Sequence, residues 1–251
     1  MRFFRALTSI FIAVILFSSC QKEYTPDIIP GTTNSNTSLV KTYTEEITSG
    51  SMVVYSNTYD ISYDANNRIV SMISRSNAGD KFIYKYNSNN TYTMDLYNSN
   101  VVSIHQLVFI NNNSLIDSTM QQNNTMDSSS EKYIYNSTKQ LIQIKQYSGT
   151  LNGYELDDII NYEYDNNGNI TSETSQIQQI KFEYYTDLFN DVNTGMIYHT
   201  ASKNLIKKAT YTSDSSTQVV NHTYTFDSSK RLTSDKIVSD GGENATKKYT
   251  Y

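Results

Sequence analysis

The chain has 251 residues, with hydrophobic residues at 37% and charged residues at 18%, both below the globular average, and Asn, Ser, Thr and 22 Tyr fill the difference. One Cys excludes a disulfide scaffold and a Cys-based zinc module, and the scarcity of long apolar runs excludes a multi-pass helical membrane protein. The net charge of −5 argues against nucleic acid as a partner.

At the N-terminus, Arg2 and Arg5 precede an apolar run from Ala6 to Phe17, broken only by Thr8 and Ser9. The run is short for a bilayer span and ends in the small residues Ser18 and Ser19, so residues 1–19 read as an export signal. The sole cysteine, Cys20, follows directly, a pattern that resembles a bacterial lipoprotein signal. Phe17 stands three residues before Cys20, where that family favours Leu. The resemblance implies lipidation of Cys20, and its acyl chains would anchor the protein at roughly 0.8 kcal/mol per buried methylene. Gln21-Lys22-Glu23 resembles the short Lys/acid tag that sends Bacteroidota lipoproteins to the outer leaflet of the outer membrane. The implied location is therefore the outer membrane, lipid-anchored and facing the cell surface. Residues 20–40 read as the lipidated Cys and a flexible tether. Pro26 and Pro30 lie there, and 31–38 offers almost no apolar side chain to bury.

From 41 to 251 the dominant signal is self-similarity. Four segments share one template: Ile61 to Ile69, Tyr133 to Leu141, Tyr162 to Ile170 and Tyr224 to Leu232. In each, an aromatic (Tyr63, Tyr135, Tyr164, Phe226) is followed by Asp or Asn, then four turn residues, then Ile or Leu. Weaker copies are Tyr84-Lys85-Tyr86-Asn87 with Tyr92, and Leu107-Val108-Phe109 with Leu115; a degenerate copy pairs Phe182-Glu183-Tyr184 with Asn204-Leu205-Ile206. Alternating Tyr, Ile and Thr favour a pleated strand, and Asp or Asn followed by Asn, Ser or Gly supplies turn chemistry. The aromatic and the aliphatic should share one face. Ser62, Val70, Glu163, Thr171 and Thr225 should lie on the other.

The Tyr-Asp core and its spacing resemble the YD (RHS-type) repeats of bacterial surface proteins. That family likes Gly in the turn, and only the copy at Gly168 has it. The resemblance implies a scaffold of β-hairpins and no activity. The expected fold is all-β, with repeated antiparallel hairpins forming one long sheet of about 12–14 strands. Such a sheet must curl into an open roll, a sandwich or a barrel. A membrane-spanning barrel is disfavoured because Lys145, Lys236, Ser71 and Ser172 are expected on the aromatic face.

The segment from Tyr185 to Lys203 has the composition of a loop inserted in the array. It is nominated as the specialised surface, with Tyr185, Asp187, Asp191 and Tyr198 as candidate ligand-binding residues. Tyr63, Tyr135 and Tyr164 are explained by the repeat core. His105, His199 and His222 lack metal-ligand spacing. Asp165-Asn166-Asn167-Gly168-Asn169 falls short of a calcium loop, because position twelve is Gln176. Glu155, Asp157 and Asp158 read as a solvated acidic loop. No catalytic constellation, metal or cofactor is called for. The expected function is a non-catalytic, lipid-anchored envelope protein binding a glycan or an envelope protein. The alternatives are a carbohydrate-active hydrolase using carboxylates near 185–203, and a structural scaffold or adhesin.

Overall fold

The structure is a computed structural model describing residues 39–87, 90–123, 128–150, 153–190 and 202–251. Its strands are β1 (Thr42–Ser49), β2 (Met52–Tyr63), β3 (Ile69–Ser74), β4 (Lys81–Tyr86), β5 (Thr91–Asn98), β6 (Val101–Ile110), β7 (Ile116–Asn123) and β8 (Ser128–Tyr135). They continue as β9 (Leu141–Thr150), β10 (Gly153–Tyr164), β11 (Ile170–Thr174), β12 (Gln179–Phe189), β13 (Asn204–Ser213), β14 (Ser216–Phe226), β15 (Leu232–Ser239) and β16 (Glu243–Thr250). No helix occurs among the described residues, so none there could cross a membrane. Each strand pairs antiparallel with its sequence neighbours, and β1 pairs with β16 to close a barrel. Among the described residues sixteen strands therefore replace the expected 12–14. The extra ones include β1, outside the recognised repeats, whose Tyr43 and Glu45 alternate in phase with Tyr249 and Lys247 on β16.

Five hairpins share one turn. The first Asp or Asn accepts two backbone N–H bonds through Oδ1, as Asp64 does from Asn66 and Arg68, both at 2.9 Å. Asn111, Asn136, Asp165 and Asp227 repeat the scheme. Counting that Asp or Asn as the first, the fourth residue is left-handed in every case: Asn67, Ser114, Lys139, Gly168 and Lys230 have φ between 60° and 88°. A lysine there carries Cβ strain that glycine lacks. Lys230→Gly is accordingly expected to stabilise the fold by about 0.5–1 kcal/mol, read as a rise in the urea midpoint at unchanged slope. The recurring turn also corrects one frame. In the β6–β7 copy the paired residues are Ile110 and Ile116 around Asn111, one place later than Phe109 and Leu115.

A bulge accompanies each of these turns. Tyr63 pairs with Ile69, but Ser62 pairs with Ser71, which leaves Val70 as the extra residue. The same shift falls at Ile110, Tyr135, Tyr164 and Phe226. The aromatic and the aliphatic do share the inner face, as expected. The inserted residue then reverses the alternation, because side chains have a period of two. Met72, Ile144, Glu173 and Asp235 therefore point inward. Ser71, Lys145, Ser172 and Lys236, expected on the aromatic face, belong to the outer wall.

Hydroxyls tie the hairpins together at this end. Tyr63 donates to the Val40 carbonyl at 2.7 Å, Tyr135 to Ile116 at 2.8 Å and Tyr164 to Leu141 at 2.8 Å. Tyr184, Tyr224 and Tyr251 make the equivalent bonds to Ile170, Ile206 and Leu232. Five of them run from at or near the end of a strand to at or near the start of the preceding one, and Tyr184 does so from the middle of β12. Tyr164→Phe keeps the ring and loses the bond, with an expected cost of about 1 kcal/mol in denaturant unfolding.

The barrel thus has two unlike rims. One holds the five tight turns, Val40 and Tyr251. The other holds the tips of hairpins such as β1–β2, β5–β6, β9–β10 and β11–β12. The densest interior packing gathers Tyr43, Tyr59, Ile69, Met72, Tyr84, Tyr92 and Leu232, from β1 to β5 and β15.

Candidate functional site

Inward-facing polar groups concentrate on the interior wall of β8 to β13, and Tyr133 packs from there against the dense cluster. Glu131, Tyr133, Gln146, Tyr162, Glu173 and Tyr211 are only half-buried although they face inward. Their facing follows from register: Glu131 pairs with Gln146, Tyr162 with Glu173, Glu173 with Ile180 and Ile180 with Tyr211. Ile144 and Ile180, on the same face, are buried.

The wall is organised by tyrosine–carboxylate bonds. Tyr133 donates to Glu131 at 2.6 Å, and Gln146 donates to the other Glu131 oxygen at 3.0 Å. The Tyr162 hydroxyl donates to Glu173. Burial pushes the Glu173 carboxyl above its usual range, and the Tyr162 bond only partly opposes that. Burial, reinforced by the neighbouring glutamates, raises the Tyr133 and Tyr162 hydroxyls well above the ordinary tyrosine value. They stay neutral at physiological pH. Rings, neutral donors and carboxylates side by side can bind a polar ligand. Protonated tyrosines offer it no nucleophile or base.

Neither glutamate was nominated from the sequence. Glu131 stands two residues before the repeat tyrosine Tyr133, an inward position by simple alternation. Glu173 stands three after Ile170 and faces inward only because of the bulge at Thr171.

Of the nominated residues, Cys20, Asp191 and Tyr198 lie outside the described residues, as do 1–38 and the signal, tag and most of the tether. Tyr185 and Asp187 are described, and they lie on β12, not in a loop. The strand continues to Phe189, which pairs with Asn204 across an irregularity after Tyr184. The connection is thus 190–203, shorter than 185–203. Tyr185 is half-buried, donates to the His222 carbonyl at 3.0 Å and meets the Tyr224 ring edge-on at 5.9 Å. Asp187 is exposed. Tyr224 pairs with the inward-facing Asp235, so Tyr185 meets an interior ring, while Asp187 stays exposed. Glu155, Asp157 and Asp158 are on β10, not in a loop. Asp157 is hydrogen-bonded by Ser148, and Asp158 accepts the Gln176 amide. His222 is bonded to Asp235 at 3.1 Å and His105 to Asp95, while His199 lies outside the described residues.

A second buried feature closes the barrel. Glu45, Lys247 and Asp235 face each other across β1, β16 and β15, all at 1% exposure or less. Lys247 acts on Glu45 and opposes the burial that raises its carboxyl.

No protein-family model and no curated protein matches the chain. Crystal structures that share its fold include two porin-like proteins. A porin-like protein from Bacteroides uniformis is 13% identical, with TM-score 0.62, covering 84% of this chain and 96% of its own. A porin-like protein from Bacteroides vulgatus is 11% identical, with TM-score 0.60, covering 85% and 98%. At these identities the likeness extends to the fold.

Proposed function

We propose that this chain is a non-catalytic envelope protein, held at the outer membrane by a lipid on Cys20, whose barrel stands in water and binds a glycan or an envelope protein. The observation that carries this is the outer wall. Thr42, Thr44 and Glu46 line it on β1, Thr246, Lys248 and Thr250 on β16, and Lys208, Thr210 and Thr212 on β13. These side chains pair along the wall: Thr42 with Thr250 at 2.7 Å, Thr44 with Thr58 at 2.8 Å, Lys208 with Glu183 at 2.7 Å. A spanning barrel presents an apolar band about 25 Å tall, and one lysine at the midplane costs about 2–4 kcal/mol. A barrel walled like this one reaches a membrane through an anchor. Its likeness in fold to porin-like proteins fits an outer-membrane setting. The Tyr-Asp pairs whose spacing resembles YD repeats, in which the array is scaffold, fall on these turns at Asp64 and Asp165.

Metabolic labelling with an alkyne fatty acid tests the anchor. The wild type should be labelled and should pellet with membranes. Cys20→Ala should lose the label and leave the membrane in alkaline carbonate. Retention of unlabelled Cys20→Ala in the carbonate pellet would instead mean that the wall spans the bilayer. Native gels cast with polysaccharides then test ligand class. Retardation lost in Tyr162→Ala would put the glycan on the interior wall, and loss in Asp187→Ala or Tyr198→Ala would put it near the 190–203 connection.

A further inference from the structure

We propose that the rim formed by the hairpin tips docks a protein partner whose surface has an apolar centre and a basic margin. The proposal deepens the reading above and rests on its water-facing barrel. Met52, Val53 and Val54 are exposed in succession where β2 leaves the first tip, and Met52 is 69% exposed. Successive strand residues point to opposite faces. A β-bulge at Val54, with Thr48 paired to Val53 and Ile47 to Tyr55, breaks that alternation, and all three side chains stand clear of the packed interior. Val101 and Val102 repeat this at the β5–β6 tip, Tyr154 and Leu156 stand beside the β9–β10 tip, and Ile177 crowns β11–β12 at 75% exposure. Single exposed apolar residues are ordinary, but their concentration on one rim marks an interaction surface.

The tips are braced against one another. Gly50 donates to the Gly242 carbonyl at 3.4 Å, Asn100 to Gly79 at 2.9 Å, and Gln176 to the Asp158 carboxylate at 3.1 Å. A braced surface loses less conformational freedom on docking.

Charge selects the occupant. Exposed acids stand in or beside the tips: Glu155, Asp157, Asp214, Asp240 and Glu243. The exposed bases there are Arg75, Lys181 and Lys236, and Arg75 is tied to Asp60 at 2.7 Å. The tight-turn rim is the reverse, with Lys41, Lys139, Lys203 and Lys230 all exposed. An anionic bilayer attracts basic surfaces and fits the tip rim poorly. A second copy docked rim to rim would oppose acid with acid. A partner protein with an apolar centre and basic margin satisfies both features.

The test uses the full-length anchored protein in living cells. A photoreactive residue is placed at Val53 or Leu156 on the tips, or at Lys230 on the other rim as control. The expected result is one protein adduct from both tip positions and none from Lys230. With that partner purified, Val53→Ser combined with Leu156→Ser should weaken binding about tenfold, with an unchanged thermal midpoint. Raising salt from about 50 to about 500 mM should weaken it further. Lipid adducts, adducts to a second copy, no adduct, or binding indifferent to salt and to the double substitution would each overturn the proposal. The carbonate extraction of Cys20→Ala fails or succeeds separately, so a wrong partner and a wrong setting are told apart.

Discussion

Replacing Lys247 with methionine should destabilise the barrel by about 3–5 kcal/mol at neutral pH, the cost of leaving a buried charge without its counter-charge. Lys247 stands between Glu45 and Asp235 at the seam that closes the barrel. Asp235 is 0% exposed and bonded to His222, so neither carboxylate can turn to water. The loss should depend on pH in a definite direction. Burial raises the Glu45 carboxyl above 4.5, and Lys247 is the main group pulling it down. Folded Glu45 thus holds its proton more tightly than unfolded Glu45. Its contribution to stability is full below the unfolded value and is lost as pH rises through the folded one. Without Lys247 the folded value rises further and the pH window widens. The urea midpoint of Lys247→Met should fall steeply from about pH 4.5 toward neutrality, and more steeply than that of the wild type. Glu45→Gln leaves Lys247 and Asp235 one to one, and should lie within about 1 kcal/mol of wild type with a flatter pH profile. A loss below about 1 kcal/mol in Lys247→Met, or a loss constant with pH, would remove the charge account of the seam.

That seam was not legible in the sequence, for a physical reason. Glu45 and Lys247 lie near opposite ends of the chain, and only closure of the sheet makes them neighbours. What was legible is local. The Tyr63–Ile69 spacing marks one hairpin, and the same spacing at Tyr135, Tyr164 and Phe226 marks a meander of hairpins. A large aromatic face then requires that the sheet curl. Parity was lost at the bulge, since a residue inserted after Ile69 leaves no mark in composition. That single miscount sent Lys145 and Lys236 to the wrong face. It also hid Glu173 and Asp235, the inward groups three residues past their repeat aliphatic. Tyr185 and Asp187 read as loop residues because polar residues dominate the stretch after them, yet Tyr184 and Leu188 carry the strand on to Phe189.

The bulge also ranks the two halves of the repeat, which the sequence treats as equals. Leu232→Ala should cost about 2–5 kcal/mol, and Phe226→Ala only about 1 kcal/mol, although the two face each other across one turn. Leu232 is 0% exposed and belongs to the packed cluster, so truncation leaves a cavity. Phe226 is 37% exposed at the tight-turn rim. Tyr63, Tyr135 and Tyr164, at the equivalent place, each spend a hydroxyl on the preceding strand, and Phe226 has none. Tyr224, two residues earlier, makes that bond instead, to Ile206 at 2.8 Å. The turn itself is held without Phe226. Arg231 pairs with Asp227 at 2.7 Å, and its guanidinium lies 4.7 Å from the Tyr251 ring centre. Denaturant midpoints of the two alanine variants check the order directly. Equal losses would mean that ring burial, not the aliphatic residue beside the bulge, holds the repeat together. The larger loss at Leu232 would make Ile69 and Leu141, both fully buried beside their own bulges, the next positions at which truncation opens the barrel.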